Sequence, residues 1–240
     1  MSQNHTVKGF DDDLRQLRSL ISQMGGLAEV QIQDAVAALV QRDVERAHEV
    51  IGNDARIDQL ELDAEKLAIT TIALRQPLAD DLREVVAALK ISSVIERIGD
   101  YAKNIAKRST VLSSMARVEP MVIVPEMARL AVFMLSDVLD AYAARDAVRA
   151  MRVWQIDKEL DDLYTSLFRS LLTNMVEQPG QITACTHLLF IAKNLERIGD
   201  HATNIAEIVQ YIVTGAYPDD SRPKADETPF AVPGTDSAAS

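Results

Sequence analysis

The sequence contains one segment twice. Residues 96–106 read Glu-Arg-Ile-Gly-Asp-Tyr-Ala-Lys-Asn-Ile-Ala, and residues 196–206 repeat this segment with identity at nine of eleven positions. A shared amphipathic pattern alone would preserve residue class and not residue identity. The chain is therefore predicted to contain two copies of one structural unit, and any fold proposed for it must consist of two similar halves.

Proline positions and apolar periodicity predict long helices. A proline inside a helix costs about 3 kcal/mol, so long proline-free stretches can remain helical. Leu17, Ile21 and Met24 lie three or four residues apart and predict a first helix over about residues 10–40, with a kink expected at Gly25-Gly26. Further helices are expected at about residues 43–75, 80–113, 125–144, 146–176 and 181–214.

Helix-start and turn signals occur at equivalent places in both halves. Asp43 is predicted to cap the second helix, and Asp80 or Asp81 the third. A Gln-Pro pair falls in the turn before the last helix of each half, at 76–77 and at 178–179. Because short connections make sequential helices antiparallel neighbours, the predicted fold class is all-α with two three-helix bundles. The expected units are a first bundle over 1–116, a second over 117–216 and a disordered tail over 217–240.

Charge and cysteine content exclude several classes of function. The chain has 25 Lys and Arg against 36 Asp and Glu, a net charge of −11, which argues against binding to nucleic acid or to an anionic membrane surface. No apolar run reaches the roughly 18 residues of a membrane span, and residues 1–13 contain no apolar stretch of signal-peptide length. The single cysteine, Cys185, is typical of a reducing compartment. We therefore expect a soluble, cytoplasmic protein.

The repeated segment places like charges on one helix face. Glu96 and Asp100 are four residues apart, as are Glu196 and Asp200, and such a pair costs a helix a few tenths of a kcal/mol. The isoleucines of the segment lie roughly opposite, so the acidic stripe and the apolar face are different faces. Glu207 extends the second stripe where the first half has a lysine, so the two halves need not bind a ligand alike.

The middle helix of each half carries a matching acidic stripe. In the first half it falls within about 60° of arc on a helical wheel and comprises Asp54, Asp58, Glu61 and Glu65. The second half begins alike with Asp157 and Asp161, but two aromatic residues replace the glutamates. In an antiparallel hairpin the two stripes of one half can face each other or lie side by side. Four converging carboxylates would repel strongly unless a cation lay between them.

The stripes have two interpretations, a solvated surface or a metal site. Oxygen-only ligands favour hard ions such as Mg, Mn, Ca or Fe(III), with Zn as a further candidate. The single cysteine excludes a thiolate zinc site. His201 points about 100° away from its neighbour Asp200 on the wheel, so it is expected to be a partly buried helix residue and not a ligand.

Several motifs together resemble the PhoU family of phosphate-transport regulators. They are the doubled Glu-Arg-Ile-Gly-Asp followed by Asn-Ile-Ala, the Asp-x-x-Ile-Asp of 54–58, and the first Gln-Pro turn with the Asp-Leu-Arg of 81–83. The resemblance covers about residues 8–214 and implies two three-helix bundles related by pseudo-twofold symmetry. It also implies metal binding, with iron most expected and Mn, Mg or Zn as alternatives, through Asp54, Asp58, Glu96, Asp100, Asp157, Asp161, Glu196 and Asp200.

The resemblance also implies a function. Family members act with the high-affinity phosphate ABC transporter and its sensor histidine kinase to keep the phosphate-starvation response off, and they are cytoplasmic and often dimeric. We accordingly expect a non-enzymatic regulator whose partners are the transporter's ATPase subunit, the kinase and a second copy of the chain. The alternatives are a carboxylate-bridged metal enzyme, an oxidase or phosphohydrolase, and a metal-free helical scaffold. No positioned histidine or common catalytic motif supports the enzyme.

Overall fold

Helices make up the regular structure of the chain. The computed structural model describes residues 2–218, with side chains from Gly9 onward, and no β-strand occurs in this range. The all-α prediction is confirmed. The α-helices of this part of the chain are α1 Ser2–Gln41, α2 Val44–Arg75, α3 Asp80–Leu112, α4 Val124–Ala144, α5 Ala147–Met151, α6 Val153–Glu177 and α7 Ile182–Thr214. Short 3₁₀ turns at Glu119–Ile123 and Pro179–Gln181 precede α4 and α7.

The helices pack as two similar bundles with a continuous apolar core. Helices α1, α2 and α3 contact one another in the first bundle, and α4, α6 and α7 do so in the second. Between the bundles, α3 packs against α7 and α1 against α4, so each contact joins helices that occupy equivalent places in the repeat. At the α3–α7 contact Tyr101 stacks on His201, its counterpart in the second copy, with ring centroids 5.4 Å apart. The pseudo-twofold axis that relates the two bundles therefore passes between these two rings.

The turn after the first helix of each bundle is also duplicated. Arg42 and Arg145 take left-handed backbone conformations, with φ of 59° and 54°. The next residues, Asp43 and Asp146, each cap the following helix by accepting a hydrogen bond of 2.9 Å from the backbone N–H three positions on. The arginine at that third position also binds an aspartate twelve residues before it, in the pairs Arg46 with Asp34 and Arg149 with Asp137. The predicted Asp43 cap is confirmed.

Two local predictions need correction. Helix α3 is preceded by Ala79 as its N-cap, and Asp80 and Asp81 lie in its first turn. There their carboxylates interact favourably with the positive end of the helix dipole without capping it. The helix expected over 146–176 is interrupted at Arg152, whose N–H bonds to a carbonyl three residues back, so the chain tightens locally into a 3₁₀ turn between α5 and α6.

Gly25 has a packing role in α1. The helix continues without interruption through Gly25-Gly26. A Cβ added to Gly25 would overlap Cδ1 of Leu139 on α4, whereas the position of Gly26 is open. The absence of a side chain at Gly25 thus lets α1 and α4 approach closely where the bundles meet.

A buried carboxylate joins the two bundles. Glu84 of α3 has a side chain only 7% exposed, and it binds Arg18 of α1 and Arg145 at the end of α4, the latter at 2.7 Å. Near the end of the described chain, Tyr217 stacks on Tyr211 of α7 with ring centroids 4.6 Å apart. Most of the tail predicted over 217–240 lies outside the described residues.

Candidate metal centre

In the first bundle, α2 and α3 bring their acidic stripes together. Burial and the nearby carboxylates raise the pKa of Glu96 from 4.5 to about 7. These carboxylates are Asp100 on the same helix and three residues of α2, which are Glu61, Asp58 and Asp54. Burial, Asp54 and Asp100 likewise raise the pKa of Asp58. Carboxylates from both stripes thus lie close enough to perturb one another, and we call these five residues the first acidic cluster.

Lys103 lies inside the first acidic cluster. Its Nζ is 2.5 Å from Oδ2 of Asp54 on α2 and 3.5 Å from Oδ1 of Asp100 on α3. The Asp54 side chain is 3% exposed, and a buried carboxylate is stable only when it is paired or protonated. The ammonium group of Lys103 supplies that pairing and connects the two helices.

The second bundle holds a more deeply buried cluster between α6 and α7. Asp157, Asp161 and Glu196 are all buried, and Asp200 is half-buried. We call these four residues the second acidic cluster. Burial raises the pKa of Glu196, and Asp200 and Asp161 add to this, so that it moves from 4.5 to about 7 although a hydrogen bond from Lys193 opposes the shift. The Nζ of Lys193 is 2.7 Å from Oε1 of Glu196.

Buried oxygen atoms without a hydrogen-bond donor lie at both clusters. Oε2 of Glu196 is buried and has no hydrogen-bond partner among the described residues, and the same is true of Oε1 of Gln31 on α1. Gln31 lies near Asp54, since the Oε1 of Gln31 and the Oδ1 of Asp54 are each 3.5 Å from the position of a Cβ built on Gly99. An unsatisfied buried acceptor costs stability unless a donor or a cation reaches it.

The glycine of the repeated segment allows the close approach of the two helices in each bundle. A Cβ on Gly199 would lie 2.6 Å from Cδ2 of Leu160 and 3.1 Å from Oδ1 of Asp157. The corresponding closest distance for Gly99 is 3.0 Å, to Cδ1 of Ile57. Such distances are too short for a side chain without rearrangement. Both glycines therefore position the stripe of the middle helix against that of the last helix.

Sequence reasoning missed the lysines, the glycines and Gln31 as members of these sites. The signal for Gln31 was available, because it is a polar residue within the apolar stripe of α1. Glu65, which the sequence placed on the first stripe, is exposed and does not perturb Glu96. Asn104 is also exposed, at the end of its stripe. His201 stacks on Tyr101 and is partly buried, as expected from its place on the helix.

The clusters fit a hard metal ion in donor chemistry but do not form a closed coordination site. The donors are carboxylate oxygens, with the unpaired Glu196 Oε2 among them. Among the side chains described from Gly9 to Pro218, no three carboxylate, imidazole or thiol groups are arranged so that they would hold one metal ion. In each cluster a lysine ammonium instead contacts the carboxylates. Among the described helices, none is long and apolar enough to cross a membrane.

Comparison with known proteins identifies the family. The family model for the PhoU domain matches twice, over residues 21–109 and 124–209, and so covers most of both bundles. The chain belongs to the PhoU family. The two matches correspond to the two halves of the repeat, and the expected family and its tandem organisation are confirmed.

Similar proteins cover nearly the whole chain. The PhoU homolog of Zymomonas mobilis, named as a phosphate-specific transport system accessory protein, is 53% identical over 88% of this chain and 89% of its own length. The equivalent protein of Caulobacter vibrioides is 49% identical over 92% of this chain and 97% of its own. These names describe accessory proteins and not enzymes, which confirms the expectation of a non-enzymatic chain over the metal-enzyme alternative.

Solved PhoU structures share the fold. The crystal structure of PhoU from Pseudomonas aeruginosa superposes with a TM-score of 0.83 at 38% identity, covering 86% of this chain and all of that one. The phosphate transport system regulatory protein PhoU from Streptococcus pneumoniae gives a TM-score of 0.82 at 31% identity and covers 88% of this chain and 99% of its own. The two-bundle architecture is thus the PhoU fold.

Proposed function

We propose that this chain is a cytoplasmic accessory protein of the phosphate-specific transport system that restrains phosphate uptake and the phosphate-starvation response. The observation that carries this proposal is the 53% identity to an accessory protein of that name over most of both chains. Its partners in this proposal are the ATPase subunit of the transporter and the phosphate-responsive sensor histidine kinase. A net charge of −11 disfavours binding to nucleic acid and agrees with a role in protein contacts.

The proposal includes a metal ion in each bundle. The ligands would be Asp54, Asp58, Glu96 and Asp100 in the first and Asp157, Asp161, Glu196 and Asp200 in the second. The raised pKa values of Glu96 and Glu196 support it, because burial and neighbouring carboxylates disfavour the charged form of each, which a bound cation would favour. Oxygen donors suit iron(III), Mn, Mg or Zn. A bound cation would neutralise the clusters and so stiffen each pair of helices.

The regulatory role is tested by deleting the gene in the organism that carries it. The deletion strain should express phosphate-starvation genes, or take up phosphate, when phosphate is plentiful, and the wild-type protein should restore repression. Normal repression in the deletion strain, with no second copy of the gene in the genome, would contradict the proposal. Co-purification from membranes that contain the transporter and kinase tests the two partners. Sedimentation of the purified chain tests the expected homodimer.

The metal component is tested separately in purified protein. Replacing Asp100 with Ala should lower metal content in the first bundle, and Asp200 with Ala in the second, while helicity persists. The matched control is Glu65→Ala, which removes an exposed carboxylate of α2 that lies outside the cluster. Unchanged metal content in the double Asp variant, measured after purification without chelator, would place the ligands elsewhere.

A further inference from the structure

The two copies of the repeat carry their lysines at different positions. Lys103 lies three residues after Asp100, and its counterpart in the second copy is Thr203. Lys193 lies three residues before Glu196, and its counterpart in the first copy is Ser93. Each bundle therefore has one lysine at its acidic cluster, although the two lysines approach from opposite sides of the repeated segment. The counterpart of each of these two lysines in the other copy is a small hydroxyl residue.

Both ammonium groups contact carboxylates that are candidate metal ligands. The Nζ of Lys103 contacts Asp54 at 2.5 Å and Asp100 at 3.5 Å, which belong to different helices. The Nζ of Lys193 contacts Glu196 at 2.7 Å and lies 4.9 Å from the ring centroid of Tyr164. A metal ion bound by the same oxygens would meet a positive charge at contact distance, so ammonium and metal compete for one set of donors.

Both lysines can leave their clusters. Their side chains are 27% and 32% exposed, so each four-carbon chain has a route to solvent along which the ammonium can be rehydrated. The carboxylates left behind include the deeply buried Asp54 and Glu196. A buried carboxylate that loses its cation must take up a proton or gain another cation, and a divalent ion is a replacement with greater charge.

We propose that Lys103 and Lys193 are tethered counter-ions that hold the two acidic clusters in a metal-free arrangement and lower their affinity for a divalent cation. The inference rests on the proposed metal binding and assigns its regulation to these two residues. It accounts for carboxylates that converge in each bundle without three of them forming a coordination site among the described residues. Metal binding then requires withdrawal of the lysine and approach of the carboxylates.

The experiment measures Mn²⁺ binding to the full chain by calorimetric titration and by the EPR signal of free Mn²⁺, at one pH and ionic strength after treatment with chelator. An Asp200→Ala background isolates the first bundle. In it, Lys103→Thr copies the residue of the second copy and should tighten Mn²⁺ binding about tenfold, since one unit charge leaves the contact shell of the ion. Lys103→Arg keeps the charge and should bind as its parent does.

The matched control is Lys107→Thr, which removes the same charge one turn further along α3, where the lysine is exposed. It should change affinity less than twofold. For the second bundle, an Asp100→Ala background with Lys193→Ser should also tighten binding about tenfold. This variant tests the inference independently should Lys103→Thr fail to give a folded protein by circular dichroism.

Two results would overturn the inference alone. The first is that the parent chain binds Mn²⁺ but Lys103→Thr or Lys193→Ser leaves the affinity unchanged or weaker. The second is that Lys107→Thr tightens binding as much as these variants do. Failure of the wild-type chain and every variant to bind Mn²⁺ would overturn the inference together with the metal component of the proposed function. The deletion-strain experiment reports on phosphate regulation independently of either result.

Discussion

Gly199 offers a sharp test of how the repeated segment positions the second acidic cluster. An alanine there would place its Cβ 2.6 Å from Cδ2 of Leu160 and 3.1 Å from Oδ1 of Asp157. Leu160 is fully buried, so its methyl group has little room to move. Overpacking a tightly packed core costs about 1–3 kcal/mol. Against this, alanine in a helix interior is favoured over glycine by about 0.5–1 kcal/mol.

The matched control is Gly52→Ala in the exposed face of α2, where an added Cβ meets nothing within 4 Å. This variant gains the helix propensity alone and should be more stable than wild type by about 0.5–1 kcal/mol. Gly199→Ala should instead be less stable than wild type by about 1 kcal/mol, the difference between the two opposing effects. For a chain of this size, 1 kcal/mol corresponds to about 2–4 °C in melting temperature.

The assay is thermal unfolding in metal-free buffer. Unfolding is followed by circular dichroism at about 222 nm, a wavelength that reports helix content. We expect Gly52→Ala to melt above wild type and Gly199→Ala to melt below it. Gly99→Ala should fall between them, because its closest distance is 3.0 Å. Should Gly199→Ala raise the melting temperature as much as Gly52→Ala does, the close approach of α6 and α7 would not depend on this glycine.

The remaining predictions concern charged groups. The pKa of Glu196 rises from 4.5 to about 7 on folding, so the folded chain binds this proton more tightly than the unfolded chain does. The contribution of Glu196 to the stability of the folded chain should therefore decline as the pH rises from about 4.5 to about 7. Glu196→Gln should flatten the melting temperature of chelator-treated protein over that range; an equally steep decline would contradict the assignment. Glu84→Ala leaves two partly exposed arginines without their buried carboxylate and should cost about 2 kcal/mol, measured by urea unfolding. The exposed pair of Glu126 and Arg129 supplies its control, since Glu126→Ala should leave the urea midpoint unchanged.

Much of the fold could be predicted from local sequence signals. Proline positions, apolar periodicity and the repeated segment together predicted long helices in two similar halves, because each signal depends on residues within a few turns of each other. Asp43 was identified as a cap for the same reason. The prediction failed where weak local preferences compete, at Ala79 before α3 and at Arg152 between α5 and α6. At Ala79 the start of the helix differs by one residue, and at Arg152 a single residue leaves the helix. Residue type alone does not decide differences of this size.

The acidic stripes were also predictable, because a helix of known period fixes which residues share a face. The sequence alone thus determined the family, the all-α class, the duplication and the carboxylates that line each helix pair. It could not determine which stripe members converge. Glu65 continues the same stripe as Asp54, yet packing buries Asp54 and leaves Glu65 in solvent.

Only the tertiary structure decided the charge balance of the clusters and the join between the bundles. Lys103 reaches an aspartate 49 residues away on another helix, and Gln31 enters the first cluster from a third helix. Glu84 meets two arginines from different bundles. These contacts depend on how helices pack across long sequence separations, and packing is set by the fit of whole faces and not by the spacing of residues within one helix.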